Sequence, residues 1–148
     1  MSGDLELVRQ LAAADKGLAI VSTTRADGTV QSSLVNAGVV EHPVTKDATV
    51  AFVARGDAYK LALLARAGRA NVVFRAGWQW VSVEGPADMI GPNHPRPDFP
   101  SDALPQLLRD IFTAAGSTHD DWAEYDRIMA EEHRTAVFIT PARIATNG

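Results

Sequence analysis

The sequence contains no cysteine. That absence excludes disulfides, thiolate metal sites and cysteine nucleophiles together, and it fits a reducing cytoplasm without requiring one. No Gly-rich dinucleotide-binding or P-loop pattern is present. No pair of histidines has the spacing of a helical metal site, so no metal is expected. Ser32 and Ser33 stand outside any Gly-x-Ser-x-Gly elbow, which argues against a serine hydrolase. No apolar run approaches the ~20 residues that span a bilayer. Residues Met1 to Gln10 carry Asp4, Glu6 and Arg9 and so lack the apolar core of a signal peptide. A cytoplasmic protein without a membrane partner is expected.

What is present is globular: 148 residues, 46% hydrophobic and 22% charged, enough for one domain, residues 1–148, with its own core. The net charge of −4 argues against nucleic-acid binding. Its distribution is uneven. Arg55, Lys60, Arg66, Arg69 and Arg75 against Asp57 make the 55–75 stretch +4, leaving 9 basic and 17 acidic residues, or −8, elsewhere. A basic segment in an acidic chain points either to a small anionic ligand or to a solvated helix face.

Along the chain, Leu5, Val8, Leu11 and Ala12 follow helical spacing, and Gly17 offers a C-terminal cap. Leu18 to Thr24 reads as a strand, Asp27-Gly28 as a tight hairpin turn whose two central residues both need positive φ, and Val30 to Val40 as a long second strand. Within that strand, Gly38 marks a bulge or a close backbone approach. Ala48 to Arg55 is a third strand. Ala58 to Ala67 is a helix with Leu61, Leu64 and Ala65 on one face, ended by Gly68. Ala70 to Arg75 and Trp78 to Ile90 are strands, the latter with Gly85-Pro86 at a bulge or edge. Four of the eight prolines fall between Gly91 and Pro100, which excludes regular structure there. A helix capped by Ser101 runs through Phe112 to Gly116, a second covers His119 to Glu132, and Thr135 to Thr140 is the last strand.

Six strands in mostly hairpin-like order, without a helix crossover between each, predict a mainly β (α+β) fold: an antiparallel barrel with flanking helices. So small a barrel has little interior room beyond its own side chains. A sizeable ligand would therefore bind outside it, in a groove or at a dimer interface. His42, His94, His119 and His133 read as solvated or capping residues, and His119-Asp120-Asp121 as the cap of an acidic, solvated helix. Lys60 falls in the first turn of its helix, where free N–H groups and the helix dipole already favour an anion. There it either grips a phosphate or, with Arg66, solvates a face. Trp78 and Trp80 either pack a subunit seam or meet a ligand.

In order and spacing, several segments together resemble the pyridoxamine-phosphate-oxidase-like split β-barrel superfamily, and within it the flavin/deazaflavin oxidoreductases whose mycobacterial and actinobacterial members bind coenzyme F420. They are residues 17–24 with Asp27-Gly28, the strand from Val30 with Gln31, Ser32 and Ser33, Lys60 to Leu64 with Gly68 to Ala70, Trp78 with residues 83–87, and His119 to Tyr125. The resemblance covers nearly the whole chain. It implies a homodimer with two cofactor sites at the interface, binding F420 or, in the alternative, FMN. It implies that Lys60 and nearby cations, Arg55 or Arg66, hold the cofactor phosphate beside Tyr59. The strand carrying Gln31, Ser33, Val35 and Asn36 would lie along the tricyclic ring, with Trp78 reaching across the dimer. Relatives that bind F420 often carry an arginine two residues before the lysine, where this chain has Ala58. The implied reaction is hydride transfer from the reduced deazaflavin to a small organic acceptor with an activated double bond. No catalytic acid is identified. An FMN oxidoreductase of the same fold and a non-catalytic carrier are the rivals. A pyridoxamine-phosphate oxidase proper is disfavoured, because its C-terminal arginine and histidine signature has no counterpart here.

Overall fold

The computed structural model of the chain describes residues 4–148. Helix α1 (Leu5–Ala14) is capped by Asp4, whose side chain accepts from the Leu7 N–H. It ends as expected, with Gly17 at φ +74° donating to the Ala12 carbonyl. Strands β1 (Leu18–Thr24) and β2 (Val30–Glu41) form the hairpin turned at Asp27-Gly28. Strand β3 (Ala48–Ala54) leads into helix α2 (Tyr59–Ala67), which stops at Gly68 in the left-handed region. Strands β4 (Arg69–Ala76) and β5 (Gln79–Ile90) form a second hairpin. The proline-rich segment leads to a 3-10 turn at Ser101–Ala103, helix α3 (Leu104–Ala114), helix α4 (Trp122–Glu131), and strands β6 (Thr135–Ile139) and β7 (Arg143–Thr146).

The sheet runs β4-β1-β2-β3-β6-β5 and closes through β4–β5 pairing, giving a six-stranded antiparallel barrel, with β7 added outside on β5. Closure removes most free edges. The two longest strands, β2 and β5, each have 12 residues, and each changes partner halfway. Residues 30–36 of β2 pair with β1, and residues 37–41 with β3. Residues 79–86 of β5 pair with β4, and residues 87–90 with β6. The barrel is thus two half-sheets joined by two long strands, which splits it along the unpaired edge of residues 30–36. Gly85-Pro86 lies at the β5 changeover, and a Cβ on Gly85 would sit 1.8 Å from the Thr140 carbonyl oxygen.

Alternation along the strands builds two cores. Val21, Val35, Phe52, Val72, Phe74, Val83 and Ile139 fill the barrel, with Leu61 and Leu64 of α2 and Val8 and Leu11 of α1 packed against them. Ala51, Ile90, Ala136 and Phe138 face outward and are covered by Leu107, Leu108 and Ile111 of α3 and by Tyr125 of α4. Gly38 makes a close approach: a Cβ there would meet the Ala114 carbonyl oxygen at 2.4 Å, so α3 rests directly on the β2 backbone.

Three readings need correction. Ser101 opens a 3-10 turn and gives no side-chain cap; α3 starts at Leu104 with Pro105 beside it in the first turn, where a missing N–H costs nothing. Helix α4 begins at Trp122, not His119, because Asp121 caps it by accepting from the Glu124 N–H. His42, read as solvated or capping, is not solvated but 1% exposed, packed on Phe138 with ring centroids 4.6 Å apart, and the capping alternative holds, its Nδ1 accepting from the Val44 and Thr45 N–H groups.

Candidate functional site

The chain turns sharply after β3, and the turn packs against the one joining α4 to β6. Register puts Ala54 opposite Thr135, so Arg55 and Arg134 leave the sheet side by side. The Gly56 N–H donates to the Glu132 carbonyl at 3.1 Å. A Cβ on Gly56 would lie 2.5 Å from the His133 carbonyl oxygen, so only glycine permits this approach. The packing delivers the first turn of α2 to the start of β6.

Helix α2 has Ala58 at its N-cap and no side-chain cap, so the first N–H groups lack a side-chain acceptor. Lys60 follows in that turn, half-buried. Burial pushes its ammonium below the ordinary lysine range, and the Arg134 guanidinium pushes it further the same way. Arg55 is paired with Asp57 at 3.3 Å and Arg134 with Glu132 at 2.8 Å. Lys60 makes no ion pair among the described residues. Two neighbouring cations, one of them unpaired and partly desolvated, favour an anion between them.

The other residues singled out in the sequence fall in different places. Tyr59 is exposed on α2 beside Lys60. Gln31, Ser33 and Val35 lie on the half of β2 with the unpaired edge, side chains turned inward opposite Thr23, Val21 and Ala19. The Val35 side chain is buried in the barrel core, leaving only its backbone for a ligand. The Ser33 hydroxyl is enclosed, without a hydrogen-bond partner among the described residues. Asn36 turns the other way, and its Nδ2 donates to the carbonyls of Lys16 at 2.7 Å and Ala115 at 3.2 Å. Arg66 lies at the far end of α2, donating to the Thr24 carbonyl at 2.8 Å, and is not brought to Lys60. Trp78 stands at the tip of the β4–β5 hairpin, 93% exposed. The tip is pinned by Asn147, which donates to the Trp78 carbonyl at 2.8 Å and accepts from the Trp80 N–H at 2.9 Å.

Arg134 is the residue that the sequence did not reveal. It sits far from the 55–75 basic stretch in sequence and reaches the site through β3–β6 pairing and the packing of Gly56 on Glu132 and His133. Beside it, a cavity of about 200 Å3 opens between β2, β3, α3 and α4. An aromatic cluster backs it: Phe112, His119, Trp122 and Tyr125 stack at centroid separations of 4.9 to 6.5 Å. His119 also caps as expected, its Nδ1 accepting from the Asp121 N–H at 3.0 Å. Among the described residues no group of three or more His, Asp or Glu side chains is placed to hold a metal. No helix among them is long and apolar enough to cross a membrane.

No protein-family model matches the sequence, and no curated protein matches it. Solved structures do match in fold. The protein Rv2991 from Mycobacterium tuberculosis superposes with a TM-score of 0.69 at 16% identity, over 97% of this chain and 84% of that one. Atu2129 from Agrobacterium tumefaciens, of unknown function, gives 0.64 at 16% identity over 99% of this chain; the chain spans 58% of its length. A pyridoxamine 5'-phosphate oxidase-related, FMN binding protein from Nostoc punctiforme gives 0.61 at 10% identity, over 94% of this chain and 80% of that one. The fold of the chain is therefore that of the split barrels to which this FMN binding protein belongs.

Proposed function

We propose that the chain binds a phosphorylated flavin-type cofactor and works as an oxidoreductase on a small organic acceptor with an activated double bond. The observation that carries this reading is Lys60: a half-buried, unpaired ammonium at an uncapped helix start, pressed by a second cation. A phosphate there would meet a point charge and free backbone donors at once. The backbone edge of β2 at residues 30–36, unpaired among the described residues, is the kind of polar surface that a heteroatom-rich ring would engage. The cofactor would supply hydride chemistry, and the protein would supply grip, orientation and electrostatics. Lys60 binds the anion, Arg134 raises the local positive potential, and the β2 backbone at 31–36 aligns the ring.

Sequence resemblance favours coenzyme F420. The fold shared with the Nostoc protein favours FMN. A second copy of the chain belongs to the reading. Ile20, Val30 and Leu34 project from the outer face of the β1–β2 hairpin, and Val30 and Leu34 are each 60% exposed, so a partner subunit would bury apolar surface that water now covers. Trp78 would reach the partner's site.

Titrating the purified protein with FMN and with F420, followed by quenching of cofactor fluorescence, tests the proposal. One of them should bind, and Lys60→Ala should weaken it by about 1.5–3 kcal/mol, or roughly 10- to 150-fold, the scale of a charge-assisted hydrogen bond. Sedimentation should report a dimer. Binding of neither cofactor, or an unchanged titration in Lys60→Ala, defeats the reading. Binding without turnover on enones and quinones would make the chain a carrier.

A further inference from the structure

The cavity beside Arg134 has a chemistry of its own, which follows from which of its polar groups are already engaged. Its walls are Val53, Ile111, Phe112 and Met129, with the Tyr125 ring at 4.9 Å from that of Phe112. Three polar side chains reach it: Asn36, Tyr125 and Arg134. Asn36 has both amide hydrogens committed, to Lys16 and Ala115, and its Oδ1 accepts from the Ser117 hydroxyl at 3.4 Å. The Tyr125 hydroxyl donates to the Leu108 carbonyl at 3.2 Å. Arg134 uses only its Nε, on Glu132, and its side chain is 26% exposed. Its Nη1 and Nη2 have no partner among the described residues. The cavity thus offers apolar and aromatic walls and one free, two-pronged cationic donor.

We infer that this cavity is a binding site for a small planar carboxylate: one six-membered ring held among Val53, Phe112 and Met129, with its carboxylate on the free prongs of Arg134. The size fits. An apolar cavity of about 150 Å3 takes one benzene ring, and the 200 Å3 here leaves room for the carboxylate as well. The charge fits too. A guanidinium fork matches a carboxylate in a two-point bond, and Lys60 adds positive potential from the α2 side. A neutral ring would leave the two Nη groups of Arg134 without a charged acceptor. A bare inorganic anion would leave the apolar walls uncovered. The site stands whether or not a flavin binds at Lys60.

Isothermal titration of the purified full chain, with no flavin or deazaflavin added, tests the inference using benzoate, its neutral counterpart benzamide, and inorganic phosphate. Benzoate should bind saturably, at least 10-fold tighter than benzamide, and equimolar phosphate should not displace it. Arg134→Gln should weaken benzoate at least 10-fold and leave benzamide unchanged. Absence of benzoate binding, equal affinity for benzamide, displacement by equimolar phosphate, or full benzoate affinity in Arg134→Gln each overturns the assignment. Should Arg134→Gln not fold, the wild-type comparison of benzoate with benzamide decides alone. Because the cofactor is absent throughout, failure here leaves the reading of Lys60 untouched.

Discussion

The His42 Nε2–H donates to Asp88 Oδ2 at 2.7 Å, across 46 residues of sequence. The tautomer follows from the other side of the ring, where Nδ1 accepts from the N–H groups of Val44 and Thr45 at 3.1 Å each. Arg96 also donates to Asp88 Oδ2 and closes the chain of bonds onto the proline-rich segment. One buried ring therefore ties the β2–β3 turn, β5 and the segment after it into a single network.

His42→Ala should be strongly destabilising. It strands two backbone donors and opens a void against Phe138, two effects that together cost about 3 kcal/mol. Asp88→Asn keeps an acceptor for His42 and should cost less, about 1 kcal/mol. Urea unfolding of both variants checks the order. Equal, negligible losses would mean that the network is decorative.

Gly38→Ala should also destabilise, for a different reason. The new methyl would meet the backbone of Ala114 and Ala115 at 2.4 to 2.8 Å, and no flexible side chain lies there to yield. Helix α3 must lift from β2, at about 2–3 kcal/mol by the scale of overpacked sites. The same change at Gly28, whose Cβ would meet nothing within 4 Å, tests conformation instead of space, since φ there is +86°. Thermal melts of the pair separate the two causes: Gly38→Ala should lose more.

Elements whose signal is local were legible in the sequence. The hairpin turn at Asp27-Gly28, the Gly17 and Gly68 helix ends and the strands β1 and β5 depend on neighbours in the chain, and they stand where expected, except that only Gly28 of the turn pair takes a positive φ. Strand β7 was not legible. Arg143–Thr146 is too short to show a period and exists by pairing with residues 81–84. The basic stretch misled in detail. Arg69 is tied up with Glu84 at 2.5 Å and Arg75 with the Gly77 carbonyl at 3.2 Å, so most of its cations serve the barrel. Arg134 and the His42–Asp88 pair are products of strand register, which no linear spacing reports.

Tyr125 offers a spectroscopic test of the α3–α4 packing. Burial pushes its phenol up to about 12, with the Arg134 charge opposing and Asp126 assisting. The folded state therefore holds this proton at pH values where the unfolded chain, with the ordinary value of 10.0, has released it. The contribution of Tyr125 to stability should be complete below pH 10 and be lost as pH climbs from 10 toward 12. Ultraviolet titration of a Tyr59→Phe protein, which leaves Tyr125 as the only one of the chain's two tyrosines, should show ionisation delayed to that upper range. Ionisation near pH 10 would mean that the α3–α4 layer is open.

Lys60 should cost the ligand-free protein stability. Its ammonium is held below the ordinary 10.5 first by burial and then by the Arg134 charge. Between the folded value and 10.5 the unfolded chain keeps a proton that the folded protein releases, so stability rises with pH through that window. Below the window, at neutral pH, the penalty is fully present. Lys60→Met, which keeps much of the length and removes the charge, should therefore melt higher than the parent at pH 7, with the gap closing as pH approaches 10.5. The ionisation of Tyr125 acts on both proteins alike and cancels in the difference. Phosphate should narrow the gap at pH 7 by raising the parent alone, because an anion beside Lys60 favours the charged form. A variant that melts lower than the parent at neutral pH would show that the ammonium is already satisfied within the chain. The phosphate grip would then lose its physical basis.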